Sequence, residues 1–367
     1  MKTFFNVGNG LFVVEEVYGK IFVFDCGGDG IKCAIQRAFI HKNTKIEAVF
    51  ISHFDRDHIN GIHFLLSQCN VKRLVLPLLK ESLKILFLTD QLSILDREFI
   101  FDTENYVKKV SNDTDICFVS PDINGDNGNN NSPITLDNLR NHIFSGQRII
   151  VKNNEKDDDD EAWLFIPSYL SLFETYEVDR LIQEVINLYK EKGVIEKSWC
   201  IKDIWKKYDL HKGLVLKNAI MNCVGNLTLK NINNSSLTVF SNSLYSINKK
   251  IKTGCLYLGD YNAKDYINEL KDVYLQVWDS MGIVQIPHHG SVNNFTSELV
   301  NNSIIAIISV SALNPSVTLG NITHDIALKG GIPLYTSCKG DIHILNDKYF
   351  ARGCIIYRYM GIDWSEI

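Results

Sequence analysis

A chain of 367 residues is long for one compact core, so one large domain carrying an insertion, or two domains, is expected. Hydrophobic residues at 45% and charged residues at 22% are ordinary for a soluble globular protein. The formal net charge of −5 excludes whole-molecule attraction to nucleic acid or anionic membrane, leaving room only for a local basic patch. No apolar run is long enough to span a bilayer, and Glu15 and Glu16 interrupt the apolar start, so neither a membrane anchor nor a signal peptide is expected. The nine cysteines are odd in number and lack a C-x-x-C pair, which argues for reduced thiols and a cytoplasmic protein.

The chain opens on a β-meander, with strands over Thr3–Asn6, Leu11–Val17 and Lys20–Asp25 separated by glycine turns. After the loop Cys26-Gly27-Gly28-Asp29-Gly30 the pattern predicts a helix around Ile31–His41 and a strand over Ile46–Ile51. A helix over Ile59–Gln68 and a strand over Val71–Leu76 follow, and strand alternating with helix points to α/β layering. Polar runs at 125–131 and 153–160 have no means of packing a core, and mark loops of an insertion at about 110–210. Inside it, apolar spacing predicts a helix over Tyr176–Lys192. Strands resume over Leu237–Ser241, Cys255–Leu258, Ile283–Ile286, Ile304–Val310, Ile332–Thr336 and Ile342–Leu345.

The stretch Ser52-His53-Phe54-Asp55-Arg56-Asp57-His58 follows an apolar strand directly. Imidazole and carboxylate are ligands that divalent zinc, manganese or iron accept, and a tight H-x-D-x-D-H loop can aim them at one point. The bland alternative is a solvated turn with Asp57 capping the following helix, which would leave two histidines and a second aspartate without a purpose. Two further strand ends carry the same residue types: Leu258-Gly259-Asp260, and Pro287-His288-His289-Gly290-Ser291. Three strand ends with convergent ligands predict a metal centre.

In this order, H-x-D-x-D-H with I-N-G-I, L-G-D and P-H-H-G-S resemble the metallo-β-lactamase fold superfamily, and within it the hydrolase domain of the DNA-uptake competence channel. The opening N-V-G-N-G…F-V-F-D-C-G-G, with Asp25, and the closing I-S-V-S…T-H-D and Y-T-S-C-K-G-D-I-H-I resemble the same group, whereas residues of roughly 80–230 match nothing in it. The resemblance implies an αβ/βα four-layer sandwich, a single domain with an insertion, holding two divalent metal ions, zinc or manganese, at one sheet edge. It implies His53 and Asp55 on the first metal, Asp57, His58 and His289 on the second, and Asp260 bridging them. His288 would then face the substrate, although the reverse assignment of the two histidines stays open. A histidine usual upstream of the bridging aspartate is missing, and Asn234 (or Asn233) stands in its place. His324 in T-H-D is a secondary candidate; His142 and His211 are read as ordinary surface or core histidines.

The expected activity is metal-dependent hydrolysis, a phosphodiesterase or nuclease using a metal-bound hydroxide, with Asp57 and His288 in the catalytic set. No G-x-S-x-G elbow or other protein nucleophile competes with that reading. The substrate is then a phosphodiester, nucleic acid included, or another small molecule. The alternatives are a lactone, thioester or amide hydrolase on the same scaffold, or a non-catalytic interaction component of a defence-type assembly whose insertion binds a protein partner.

Overall fold

The computed structural model describes residues 1–39, 41–84, 87, 92–121, 132–153, 162–170, 183, 186–187, 190, 235–301, 304–311, 317–336, 340–345 and 355–358. In chain order the strands are β1 (Lys2–Phe4), β2 (Phe12–Val17), β3 (Lys20–Cys26), β4 (Lys45–Phe50), β5 (Asn70–Val71), β6 (Arg73–Pro77) and β7 (Asp115–Ser120). Then come β8 (Ile134–Thr135), β9 (His142–Phe144), β10 (Ile149–Val151), β11 (Trp163–Ser168), β12 (Thr238–Ser243) and β13 (Gly254–Tyr257). The last are β14 (Met281–Gln285), β15 (Ile305–Ser309), β16 (Ile332–Thr336), β17 (Ile342–Leu345) and β18 (Ile355–Arg358).

Among the described residues these strands form two mixed sheets. The first runs β18-β17-β1-β2-β3-β4-β6-β7-β9, with β5 beside β4, and the second runs β16-β15-β14-β13-β12-β11-β10-β8. Period-two alternation decides what faces what. Phe22 and Phe24 of β3 point at the second sheet, whereas Val23 between them points at helices. The Phe24 ring lies stacked between Phe50, at 5.2 Å, and Tyr257 of the opposing sheet, at 3.7 Å. Helices Ile31–Ala38, Ile62–Gln68, Ile94–Phe101 and Thr103–Val110 pack on the outer face of the first sheet. Helices Ile267–Tyr274 and Val317–Leu328 cover the second. The result is an α/β sandwich with apolar layers inside and outside each sheet.

One polar group crosses the inner layer. Lys2 and Glu15, cross-strand partners on β1 and β2, form a fully buried ion pair at 2.9 Å. From the second sheet, Ser241 donates to Glu15 Oε1 at 2.7 Å and Tyr257 donates to Oε2 at 2.9 Å. The Lys2 ammonium lies 4.8 Å from the centre of the Trp163 ring.

Strands β7 to β11 lie within the first part of the stretch expected as an insertion, and they belong to both sheets. The helix expected over Tyr176–Lys192, almost all of it, and the polar runs at 125–131 and 154–160 lie outside the described residues. Two helices that hydrophobic spacing did not reveal, Ile94–Phe101 and Thr103–Val110, follow a capping box. Ser93 accepts from the Asp96 amide at 3.1 Å, and Asp96 accepts from the Ser93 amide at 3.2 Å. Among the described residues no helix is long and apolar enough to cross a membrane.

Candidate metal centre

Parallel pairing places the chemistry. Strands β3 and β4 of the first sheet are parallel, as are β13, β14 and β15 of the second. Loops leaving the carboxyl ends of neighbouring parallel strands emerge side by side, the usual place for a site in such sheets. Here those ends deliver Asp25, the His53–His58 loop, Asp260, His288-His289 and Ser309.

Close approach of the loops requires glycine at two positions. A Cβ on Gly27 would lie 2.2 Å from the Asp57 carbonyl carbon, so the Cys26-Gly27-Gly28 turn forms the floor beneath the motif. Gly259 has φ +54°, and a Cβ there would lie 2.4 Å from that of Ser52. That packing joins the Leu258-Gly259-Asp260 turn to the start of the motif. Gln285, buried in β14, accepts from the amides of Leu258 and Gly259 at 2.7 and 2.8 Å and fixes the same turn.

The motif loop enters a short helix, Arg56–Ile59, for which Asp55 is the N-cap by position. Its carboxylate makes no capping hydrogen bond, and Asp57 lies in the first turn, so neither aspartate is spent as a cap. Asp25 accepts instead from the Ser52 amide and the Ser52 hydroxyl, both at 2.7 Å, and from His58 Nδ1 at 2.8 Å. With its proton given to Asp25, the Ser52 oxygen accepts from His53 Nδ1 at 2.9 Å. His289 Nδ1 donates to the Ser309 carbonyl at 2.9 Å. In all three histidines the outer nitrogen is thereby held by the protein and Nε2 is turned inward, the arrangement that ligating histidines use.

The inward atoms converge. His58 Nε2 lies 3.3 Å from Asp260 Oδ1, and His53 Nε2 lies 3.6 Å from Asp260 Oδ2. His289 Nε2 is 3.1 Å from Asp57 Oδ2, and His53 Nε2 is 4.0 Å from Asp55 Oδ2. Among the described residues two groups of three could each hold a cation: His53, His58 and Asp260, all buried, and Asp57, His58 and His289. His58 stands in both groups and has one free nitrogen, so it serves one cation at a time. His288 differs from its neighbour: its Nδ1 lies 3.6 Å from Asp260 Oδ2, and the side chain is 30% exposed. Both histidines sit at positive φ, 49° and 53°, strain of the kind found at functional sites.

Charge in the cluster follows from the same packing. Burial, aided by the neighbouring His58 charge, pushes His53 down to about 4, so its Nε2 carries a bare lone pair at neutral pH. Burial opposes a charge on His58 as well, yet the carboxylates of Asp25, Asp260 and Asp57 outweigh it and raise its proton affinity well above the ordinary value. For Asp260, burial is overcome by His53 and His58, which hold the carboxyl well below its usual range. His53 Nε2, His58 Nε2 and Asp260 Oδ1 are nevertheless buried without a hydrogen bond. Such atoms are costly to leave bare, and a divalent cation satisfies all of them at once.

Of the residues expected at the site, His53, Asp55, Asp57, His58, Asp260, His288 and His289 thus lie together. Asn234 lies outside the described residues. His324 is exposed on the helix Val317–Leu328 and is in neither group of three. His142 stacks on Phe118, and His211 is outside the described residues. Ser52, Gln285 and Ser309 were missed; the one hint in the chain was a glutamine inside the apolar run Ile283–Ile286.

Asp25 is the residue to test first among those that hold ligands in place. The substitution Asp25→Asn is expected to weaken metal affinity ~10–100-fold, read by competition with a chromogenic chelator. Wild-type affinity in that variant would show that the Asp25 carboxylate does not orient His58.

No protein-family model matches the chain, and no curated protein resembles it significantly. The fold and the ligand cluster therefore define it only as an α/β-sandwich protein with a candidate metal centre between its two sheets.

Proposed function

We propose that this protein is a metal-dependent hydrolase of the metallo-β-lactamase type, acting on phosphodiesters. The observation that carries the reading is the convergence of His53 Nε2, His58 Nε2 and Asp260 Oδ1, buried and without hydrogen bonds, beside a more open Asp57–His289 pair. One cation would be held by His53, Asp55 and Asp260, and a second by Asp57, His58 and His289, with Asp260 between them. When bound, such cations supply Lewis acidity toward a phosphoryl oxygen and lower the pKa of water. The first set is rich in oxygen, which suits manganese as well as zinc.

The chain's own groups divide the remaining work. His289, held by Ser309, presents one nitrogen inward, so it serves as ligand. His288, beside Asp260 and open to solvent, is placed to hold a phosphoryl oxygen or pass a proton to the leaving group. Asp25 and Ser52 orient both histidines of the motif. The order of motifs, resembling the competence-channel hydrolase domain, points the activity toward nucleic acid or nucleotides. Among the described residues Cys26, Cys33, Cys69, Cys117 and Cys255 form no disulfide, which suits a reducing compartment.

The test is turnover of bis-p-nitrophenyl phosphate by protein loaded with manganese or zinc, beside the double variant Asp57→Ala, His58→Ala. Turnover that a chelator abolishes and the variant lacks is the expected result. Full metal occupancy without turnover would move the activity to esters, lactones or amides. Absence of bound metal would leave a binding protein on this scaffold.

A further inference from the structure

One buried hydroxyl outside the ligand set reaches two residues of the first cation site at once. Ser236 lies two positions before the first residue of β12 and is buried. The next amide, that of Leu237, donates to the Ser52 carbonyl at 2.7 Å and docks this end of the strand on the metal motif. Ser236 Oγ accepts from the Asp260 amide at 3.1 Å and lies 3.3 Å from His53 Nδ1. The Ser52 oxygen takes the same Nδ1 proton at 2.9 Å, so two hydroxyls grip one imidazole N–H in a three-centre bond. A serine oxygen has two lone pairs; here one serves His53 and the other serves Asp260.

The three imidazoles are therefore held unequally. His58 Nδ1 donates to the Asp25 carboxylate at 2.8 Å, and His289 Nδ1 donates to the Ser309 carbonyl at 2.9 Å. A charged acceptor makes the stronger bond, and either is a single, well-directed partner. His53 Nδ1 is held, among the described residues, by the two hydroxyls alone. Its ring direction thus depends on both of them. The Asp260 turn is pinned on each side of the ligand: Ser236 accepts from its amide, and Asn294 donates to its carbonyl at 2.8 Å.

We propose that Ser236 is a positioning residue for the first cation, setting the direction of His53 Nε2 and of the Asp260 carboxylate together. The proposal rests on the metal centre of the hydrolase reading and adds that its two cation positions are built unequally. Without the hydroxyl, the buried Asp260 amide loses its acceptor and His53 keeps only Ser52. The second cation retains Asp57, His58 and His289, none of which Ser236 holds. Outer partners that orient a ligand act on affinity, so the loss falls on one cation and spares the other.

The test follows zinc binding to the metal-free protein by calorimetry in wild type, Ser236→Ala, Ser236→Cys and Thr238→Val, with chemical denaturation to verify folding. Cysteine keeps roughly the volume of serine but accepts hydrogen bonds poorly. Thr238 is the control: it is buried in the same strand, yet its hydroxyl is engaged by Tyr274 at 2.8 Å and the Ser168 carbonyl at 3.3 Å rather than by a ligand. The expected result is two binding steps, one of them weakened ~10–100-fold in both Ser236 variants and the other unchanged. Thr238→Val should keep both steps. In cobalt-loaded protein, the exchangeable Nδ1 proton of His53, identified by its absence from His53→Gln, should shift in Ser236→Ala while those of His58 and His289 stay. Wild-type affinity in Ser236→Ala or in Ser236→Cys, an equal loss in Thr238→Val, or an unmoved His53 proton would each overturn the proposal. The selective loss, found in a protein that never turns over bis-p-nitrophenyl phosphate, would sink the phosphodiesterase reading and leave Ser236 in its role. Absence of bound metal from wild type would sink both.

Discussion

Asp260→Asn is expected to lower bound metal to less than one ion per chain and to reduce phosphodiester turnover by ~10³-fold or more. Asp260 lies within 3.6 Å of three imidazoles, those of His53, His58 and His288, and is itself buried. An amide keeps the volume but removes the charge through which both cations would be held. Lewis-acid stabilisation of a transition state is worth several kcal/mol, and ~4 kcal/mol corresponds to about 10³ in rate. Elemental analysis and turnover of bis-p-nitrophenyl phosphate, with circular dichroism to verify the fold, give the readout. Wild-type metal content in Asp260→Asn would sink the assignment of the centre.

Glu15→Ala is the substitution expected to cost most in stability, about 3–5 kcal/mol. It would leave the Lys2 ammonium buried between the sheets without its carboxylate, and would remove the acceptor from the Ser241 and Tyr257 hydroxyls. Chemical denaturation measures the loss. The double variant Lys2→Met, Glu15→Leu removes both charges and should recover part of it, since a stranded charge costs more than an absent pair. An equal loss in single and double variants would show that the pairing of charges is not its source.

Comparison of chain and fold shows where sequence reasoning succeeds. The meander, the strand before the motif and the late parallel strands were legible because apolar runs end abruptly in glycine or in titratable residues. The cluster was legible because its ligands are local: four of them lie within six positions, and Asp260 and His288-His289 each close an apolar strand. What could not be read are contacts that depend on the facing of two sheets. Glu15 looks like a solvated residue in the run Phe12–Val17, yet the second sheet buries it completely. Ser309 and Gln285 look like incidental polar residues, and they act through a carbonyl or a side-chain oxygen aimed across a loop. The two helices after Ser93 escaped because the apolar residues of Ile94–Phe101 fall at its two ends, with Asp96-Arg97-Glu98 between them, rather than at helical spacing, leaving its capping box as the clearest signal.

The pairing of His289 with Asp57 spans 232 positions of chain. Among the described residues each group of three able to hold a cation joins the early motif to a residue more than 200 positions later, so a nascent chain completes neither group until Asp260 or His289 has left the ribosome. Bringing such distant segments together carries a loop-closure cost that local contacts cannot repay early. Metal capture at the proposed centre would therefore belong to the last stage of folding. The proposed centre would then act as a clasp that rewards only the finished sandwich, and a truncated chain would carry the conspicuous motif without a complete ligand group.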